Sequence, residues 1–243
     1  MKYTLKLFII IVTIGLLQAC SSVFTDKSCT EGIGDVITEE QQLTGTIQKV
    51  YSGIAGNIFI TQGIEQKVLV QAQANIIPLL NLTIVDNELR IEFKDDNCID
   101  NTTINVFVTT PTISQVTLAG SGNIEGQNKW DAANLEIVLS GSGNIKANIN
   151  SNDVNTSVAG SGNIVLTGNA TKQNLRLTGS GNYRAFGLVN DQAVINLTGS
   201  GNVEVQTKQT LTVTISGSGQ VAYKGSPSIT QNITGSGKLT NAN

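Results

Sequence analysis

Histidine is absent from all 243 residues. That removes Ser-His-Asp and Cys-His catalytic arrangements, His-ligated metals and the usual proton shuttle near neutral pH. Charge is scarce as well: 14% of residues are Asp, Glu, Lys or Arg, and 15 basic residues face 18 acidic ones. No basic surface is left to neutralise phosphates, so nucleic acid is excluded as a partner. No Gly-x-Ser-x-Gly elbow, no Gly-x-Gly-x-x-Gly opening a helix and no Walker loop occurs. The densest charged stretch, Lys94-Asp95-Asp96-Asn97-Cys98-Ile99-Asp100-Asn101, lacks the spacing and the glycine of an EF-hand and reads as a solvated loop. No metal, no cofactor and no catalytic residue is expected.

What the chain does have is an export signal. Lys2 and Lys6 precede an apolar run from Leu7 to Leu17 that is too short to span a bilayer. The run ends Leu17-Gln18-Ala19-Cys20, which resembles the bacterial lipobox, where the leader is cut before a cysteine that then carries lipid. An ordinary signal peptide with a chance cysteine is the alternative. On the lipobox reading, residues 1–19 are a lipoprotein signal peptide, Cys20 is lipidated, and residues 20–43 are a polar tether reaching roughly 80 Å when extended. The protein is then exported and held at the outer membrane, with the cell surface and the periplasmic leaflet both open. Loss of Lys2 and Lys6 moves the formal charge from -3 to -5. Cys29 and Cys98 remain as an even pair in an oxidising compartment. A bridge would close a loop of about 70 residues and contribute up to roughly 4 kcal/mol in the chain-entropy view; two free thiols are the other reading.

Glycine is abundant, with 25 residues, and it recurs in order. Gly-Ser-Gly-Asn starts at Gly120, Gly141, Gly160, Gly179 and Gly199, followed by Gly-Ser-Gly-Gln at Gly217 and Gly-Ser-Gly-Lys at Gly235, with spacings of 21, 19, 19, 20, 18 and 18 residues. Two residues before each copy stands an aliphatic side chain: Leu118, Leu139, Val158, Leu177, Leu197, Ile215 and Ile233. Four residues after each first glycine the chain is again apolar, from Ile124 to Leu239. This is a period-two strand pattern with one buried face. A unit of this size holds two or three short strands and cannot bury its own inner face, so neighbouring units must stack. The fold expected is all-β: residues 44–240 form one domain, with residues 111–240 as seven coils of a parallel β-helix about 34 Å long. An antiparallel sandwich is the competing architecture, but it gives no reason for one four-residue turn at a fixed period.

The glycines are expected to face inward or to need positive φ at a tight corner. Asn123, Asn144, Asn163, Asn182 and Asn202 are expected to hydrogen-bond along the axis as a ladder. Residues 44–110 are β-like but not repetitive, with alternating runs at 57–61, 67–73, 82–85, 88–93 and 104–109. Asp86-Asn87 and Gln62-Gly63 are placed as hairpin turns. Residues 52–61 echo the later corner as a degenerate coil, and the remaining strands are expected to cap one end of the rod.

Taken together, Gly53-Ile-Ala-Gly-Asn-Ile-Phe-Ile-Thr-Gln-Gly63, Asp86-Asn-Glu-Leu-Arg-Ile91, Val108-Thr-Thr-Pro111 and the Gly-Ser-Gly-Asn copies resemble the head GIN domain family of auto-transporter adhesins, found in lipoproteins of Bacteroidetes-type bacteria. The resemblance covers about residues 44–240. It implies a right-handed β-helix and a surface-associated, adhesive role.

One regularity points outward. The residues flanking the first glycine of each copy share one parity and are small and mostly hydroxylated: Ala119/Ser121, Ser140/Ser142, Ala159/Ser161, Thr178/Ser180, Thr198/Ser200, Ser216/Ser218 and Thr234/Ser236. They form a candidate binding face for a glycan or a protein surface, although small residues beside a glycine corner also have a purely structural explanation. A β-helix can instead carry polysaccharide-cleaving chemistry, which needs clustered Asp, Arg or Lys. The corresponding column here, Glu125, Lys146, Val165, Arg184, Glu204, Ala222 and Thr240, is mixed and dilute. The function expected is therefore a non-enzymatic adhesive or binding scaffold of the cell envelope. The second class is a structural, self-assembling protein, because the last coil ends near Thr240 with no evident cap and invites end stacking into homo-oligomers.

Overall fold

A computed structural model describes residues 29–94, 99–100 and 102–243. The signal peptide, Cys20, residues 20–28 of the tether, Cys98 and most of the charged stretch lie outside the described residues. The first part of the chain contains β1 (Thr30–Glu31), β2 (Val36–Glu40), β3 (Lys49–Ser52), β4 (Asn57–Gln62), β5 (Lys67–Gln73), a single 3-10 turn (Ile77–Leu79), β6 (Leu80–Val85), β7 (Glu88–Phe93), β8 (Ile99–Asp100), β9 (Asn105–Thr110) and β10 (Gln115–Leu118). Long bent strands follow: β11 (Asn123–Leu139), β12 (Asn144–Gly160), β13 (Asn163–Gly179), β14 (Asn182–Gly199) and β15 (Asn202–Gly217). The chain closes with β16 (Gln220–Lys224), β17 (Ser228–Gly235) and β18 (Lys238–Asn241). Among the described residues, no helix is long and apolar enough to cross a membrane.

The architecture is a parallel β-helix. Each long strand pairs in parallel with the same segment of the next repeat, so that Gly160 lies against Gly179, Gly179 against Gly199, and Gly199 against Gly217. The aliphatic residues before each corner stack in one inward column, Leu118–Leu139–Val158–Leu177–Leu197–Ile215–Ile233. All but Ile233, which stands on the open end, are buried. Such columns have neighbouring side chains about 4.8 Å apart, which closes the core without any one repeat burying itself.

The varying repeat length has a structural account. Between β11 and β12 the register slips so that Glu125 to Lys129 spans what Lys146 to Asn148 spans, which absorbs the two extra residues of the 21-residue unit. A slip between Val165 and Thr167 absorbs the extra residue of the 20-residue unit carrying β14. Bulges thus take up length on the sides of the coil, and the corner keeps its register.

The corner before the repeats is degenerate, as expected. β3 pairs in parallel with β10, and β4 with the start of β11, so residues 49–62 form a coil beneath the first Gly-Ser-Gly-Asn. Below it the rod is capped. β7 lies parallel under β3 and β9 parallel under β4, after which pairing turns antiparallel through β6–β7 and β9–β5. Asp86 and Asn87 both have positive φ, 52° and 61°, the geometry of a two-residue hairpin whose twist matches its strands.

Two expectations fail here. Gln62-Gly63 is not a hairpin turn: β4 and β5 do not pair, because β9 lies between them, parallel to one and antiparallel to the other. Nor is all of 20–43 a free tether. β2 pairs antiparallel with β5, from Val36 against Gln73 to Glu40 against Leu69. An uncovered β5 would leave a row of backbone donors and acceptors unpaired, and β2 supplies their partners. A Lys67–Glu40 ion pair at 3.0 Å lies beside it, too exposed to add much.

Candidate functional site

Three features of the rod face outward or bear on chemistry: the glycine corner, a lengthwise groove and a buried polar network. At the corner the two glycines do different work. From Gly160 onward the first glycine has positive φ, for example 124° at Gly179, a conformation that L side chains rarely adopt. The second glycine is buried with ordinary φ and is required by space: a Cβ on Gly143 would lie 2.1 Å from the carbonyl oxygen of Gly122. Backbone amides bind across these close approaches, as where Ser200 N donates to Gly179 O at 3.0 Å.

The ten candidate hydroxyl residues Ser140, Ser142, Thr178, Ser180, Thr198, Ser200, Ser216, Ser218, Thr234 and Ser236 are all exposed. Thr178, Thr198, Ser216 and Thr234 stand in register on successive coils, and Ser236 Oγ donates to Ser218 Oγ at 3.0 Å. Beside them runs the asparagine ladder. Each side-chain amide donates to the carbonyl of the preceding coil at 2.8–2.9 Å, from Asn202 to Asn182, Asn163, Asn144 and Asn123. The ladder extends further than the repeat, through Asn57 and Asn105 to Gln71 in the cap. Its polar groups are consumed by one another, so it is scaffold.

The groove was missed by reading the sequence. At a second corner, opposite in character because it carries no glycine signature, the floor residues are small: Ala132, Ser151 and Ala170 stack in register. The residues preceding them, Asp131, Asn150 and Asn169, form one wall. The residues following them, with Asp191 and Lys208 farther along, form the other. The hollow has a volume of about 570 Å³. A second, of about 350 Å³, adjoins it through Asp131, Ala132 and Ala133 and carries the groove toward Thr112 and Ser114. The sequence signal was present but faint: an Asp or Asn followed by Ala or Ser at 131, 150 and 169.

Behind the groove's C-terminal end, Asn190 Nδ2 donates to Gln173 Oε1 at 2.7 Å and Gln173 Nε2 donates to Tyr183 Oη at 2.9 Å, all three residues fully buried. Burial pushes the Tyr183 phenol well above its usual range, only partly offset by the Thr156 hydroxyl. Asn190 Oδ1 and the neighbouring Thr207 Oγ1 are buried without a partner. Cys29 is disulfide-bonded. The residue after it, Thr30, pairs with Ile99, the residue after Cys98.

A family model described as "Putative auto-transporter adhesin, head GIN domain" matches residues 48–227, from the degenerate coil to the end of β16 and just beyond. The chain belongs to that family. This head GIN domain is similar in fold to a crystal structure of a "putative adhesin" from Bacteroides fragilis, 24% identical, with a TM-score of 0.83 over 87% of this chain and 99% of that one. A "putative adhesin" from Parabacteroides merdae is 19% identical with a TM-score of 0.73, covering 88% and 99%. A "putative lipid binding protein" from Parabacteroides distasonis is 23% identical with a TM-score of 0.73, covering 89% and 100%. No curated protein matches the head GIN domain chain.

Proposed function

We propose that this head GIN protein is a lipid-anchored, non-enzymatic adhesive scaffold of the cell envelope. The observation that carries the reading is the presentation of in-register polar faces along a rigid rod, the hydroxyl columns on one corner and the groove on another. The lipobox-like Leu17-Gln18-Ala19-Cys20 and membership of an adhesin family support it. Because β2 ties residues 36–40 to the cap, the leash is shorter than residues 20–43: from Cys20 to Val36 it reaches at most about 55 Å extended, and about 30 Å where Cys29 is fastened as well. A Cys29–Cys98 disulfide would fasten the start of the domain at that leash, and the Thr30–Ile99 pairing favours it.

Cys20→Ala should shift the protein from the membrane to the soluble fraction while the domain stays folded, and mass spectrometry should find lipid on Cys20 of the wild type. Adhesion of cells displaying the protein should fall with the anchor. An unmodified Cys20, or wild-type protein recovered as freely soluble, would overturn the reading.

A second reading, end stacking of copies, rests on the last coil. β17 and β18 are exposed along their lengths, with Ile229 40% accessible, and at the other end β2 and β6 are edge strands, with Val36 and Ile37 of β2 exposed. Both ends thus offer unpaired strand edges to another copy. Sedimentation over a dilution series should show concentration-dependent oligomers, and a monomer at every concentration would remove this reading.

A further inference from the structure

We infer that the groove at the second corner binds a linear, uncharged oligosaccharide lying along the rod axis; the inference names a ligand site for the adhesive reading and rests on it. Shape comes first. The two adjoining hollows run from Thr112 to Lys208 across six successive coil levels. At about 4.8 Å per level this is roughly 24 Å of open trough, suited to a chain molecule. The small floor of Ala132, Ser151 and Ala170 lets a ligand sit against the backbone of these three coils, and Asn190 and Thr207 continue the column beyond them.

Electrostatics narrows the class. The fixed charges on the walls are offset in place: Asp131 lies 3.5 Å from Lys129 and accepts from Asn150 Nδ2 at 2.8 Å, and Asp191 lies 3.7 Å from Lys208. A polyanion or a polycation therefore finds little net attraction. What repeats along the trough is the amide, Asn150, Asn152 and Asn169, together with the Thr171 hydroxyl. Each offers donor and acceptor to a ligand rich in hydroxyls. The larger hollow exposes mostly polar atoms, whereas the smaller one toward Thr112 and Ser114 is mainly apolar, and a sugar ring presents both a hydroxyl edge and a C–H face. The repeat of like groups at one coil spacing fits a ligand that is itself a repeat, so that affinity accumulates over successive units.

The test uses the full-length chain purified in detergent and a panel of neutral gluco-, manno-, xylo- and galacto-configured hexasaccharides, with a galacturonic acid hexamer and an extended uncharged peptide as comparators. Calorimetric titration should show saturable binding of at least one neutral hexasaccharide, with affinity at least tenfold above that of its disaccharide. The double variant Asn150→Leu/Asn169→Leu, whose side chains are exposed, should weaken binding at least tenfold with an unchanged melting temperature. Thr171→Lys on the opposite wall should do likewise, while Thr178→Lys/Thr198→Lys on the hydroxyl corner should leave it within twofold. Failure of every neutral hexasaccharide to bind, preference for the acidic hexamer or the peptide, or loss of binding on the hydroxyl corner instead of the groove would each overturn the inference. Anchoring and cell adhesion that persist when the groove variants change nothing would leave the scaffold reading standing without this site.

Discussion

Gly143→Ala is expected to lower the melting temperature by roughly 6–12 °C, from a loss of about 3 kcal/mol or more in a domain of this size. The cause is space. The new Cβ would lie 2.1 Å from the Gly122 carbonyl oxygen and 2.7 Å from Leu118 Cδ2. The carbonyl belongs to the stacked backbone of the preceding coil, where Asn144 N donates to it at 3.1 Å, so it cannot move aside without breaking the corner above or below. Ser142→Ala, one residue away on the exposed side, should stay within about 0.5 kcal/mol of wild type. Equal melting losses in the two variants would show that the corner does not have this packing.

Trp130→Ala should cost about 3–5 kcal/mol, the usual range for deleting a large buried aromatic. Trp130 is fully buried, stacks in register on Ile149, and its ring packs so closely on Gly126 that a Cβ there would lie 3.0 Å from it. It sits just past the two-residue bulge of β11, so its bulk fills the room that the longer coil opens. Trp130→Phe should recover about half of the loss, because a smaller ring leaves a smaller cavity. Denaturant titrations of the three proteins measure this, and a Trp130→Ala loss under about 1 kcal/mol would mean the bulge is not packed around the ring. As the chain's one tryptophan, Trp130 also reports the unfolding of this coil by fluorescence in every other variant.

How far the sequence could be read depends on the range of the interactions involved. The inward column from Leu118 to Ile233, the glycine corners and the asparagine ladder were legible because a parallel stack puts the same position of each repeat side by side, so a one-dimensional period is a contact map. The Asp86-Asn87 hairpin was legible because its two strands adjoin in sequence. The Gln62-Gly63 expectation failed because β9, which separates β4 from β5, arrives more than 40 residues later, and local turn chemistry carries no trace of it. β2 was missed because its residues are exposed on every side; what holds it is the backbone edge of β5. The groove was missed for a similar reason. Its walls come from five or more coils, each contributing one or two unremarkable polar residues, and only stacking makes them a surface.

A stack in which each coil pairs only with the coil before and the coil after has a length that can change by whole units. Duplication of one 19-residue unit near β12 would insert a layer between two layers that already fit it, since each coil touches only the coil before and the coil after. The cap, the corner and the disulfide would be unaware of the change, while the distal tip would move outward by about 4.8 Å per unit. The same insertion would lengthen the groove by one coil level. The length of the rod and the length of its groove are therefore coupled to a single gene-level variable, the count of repeats.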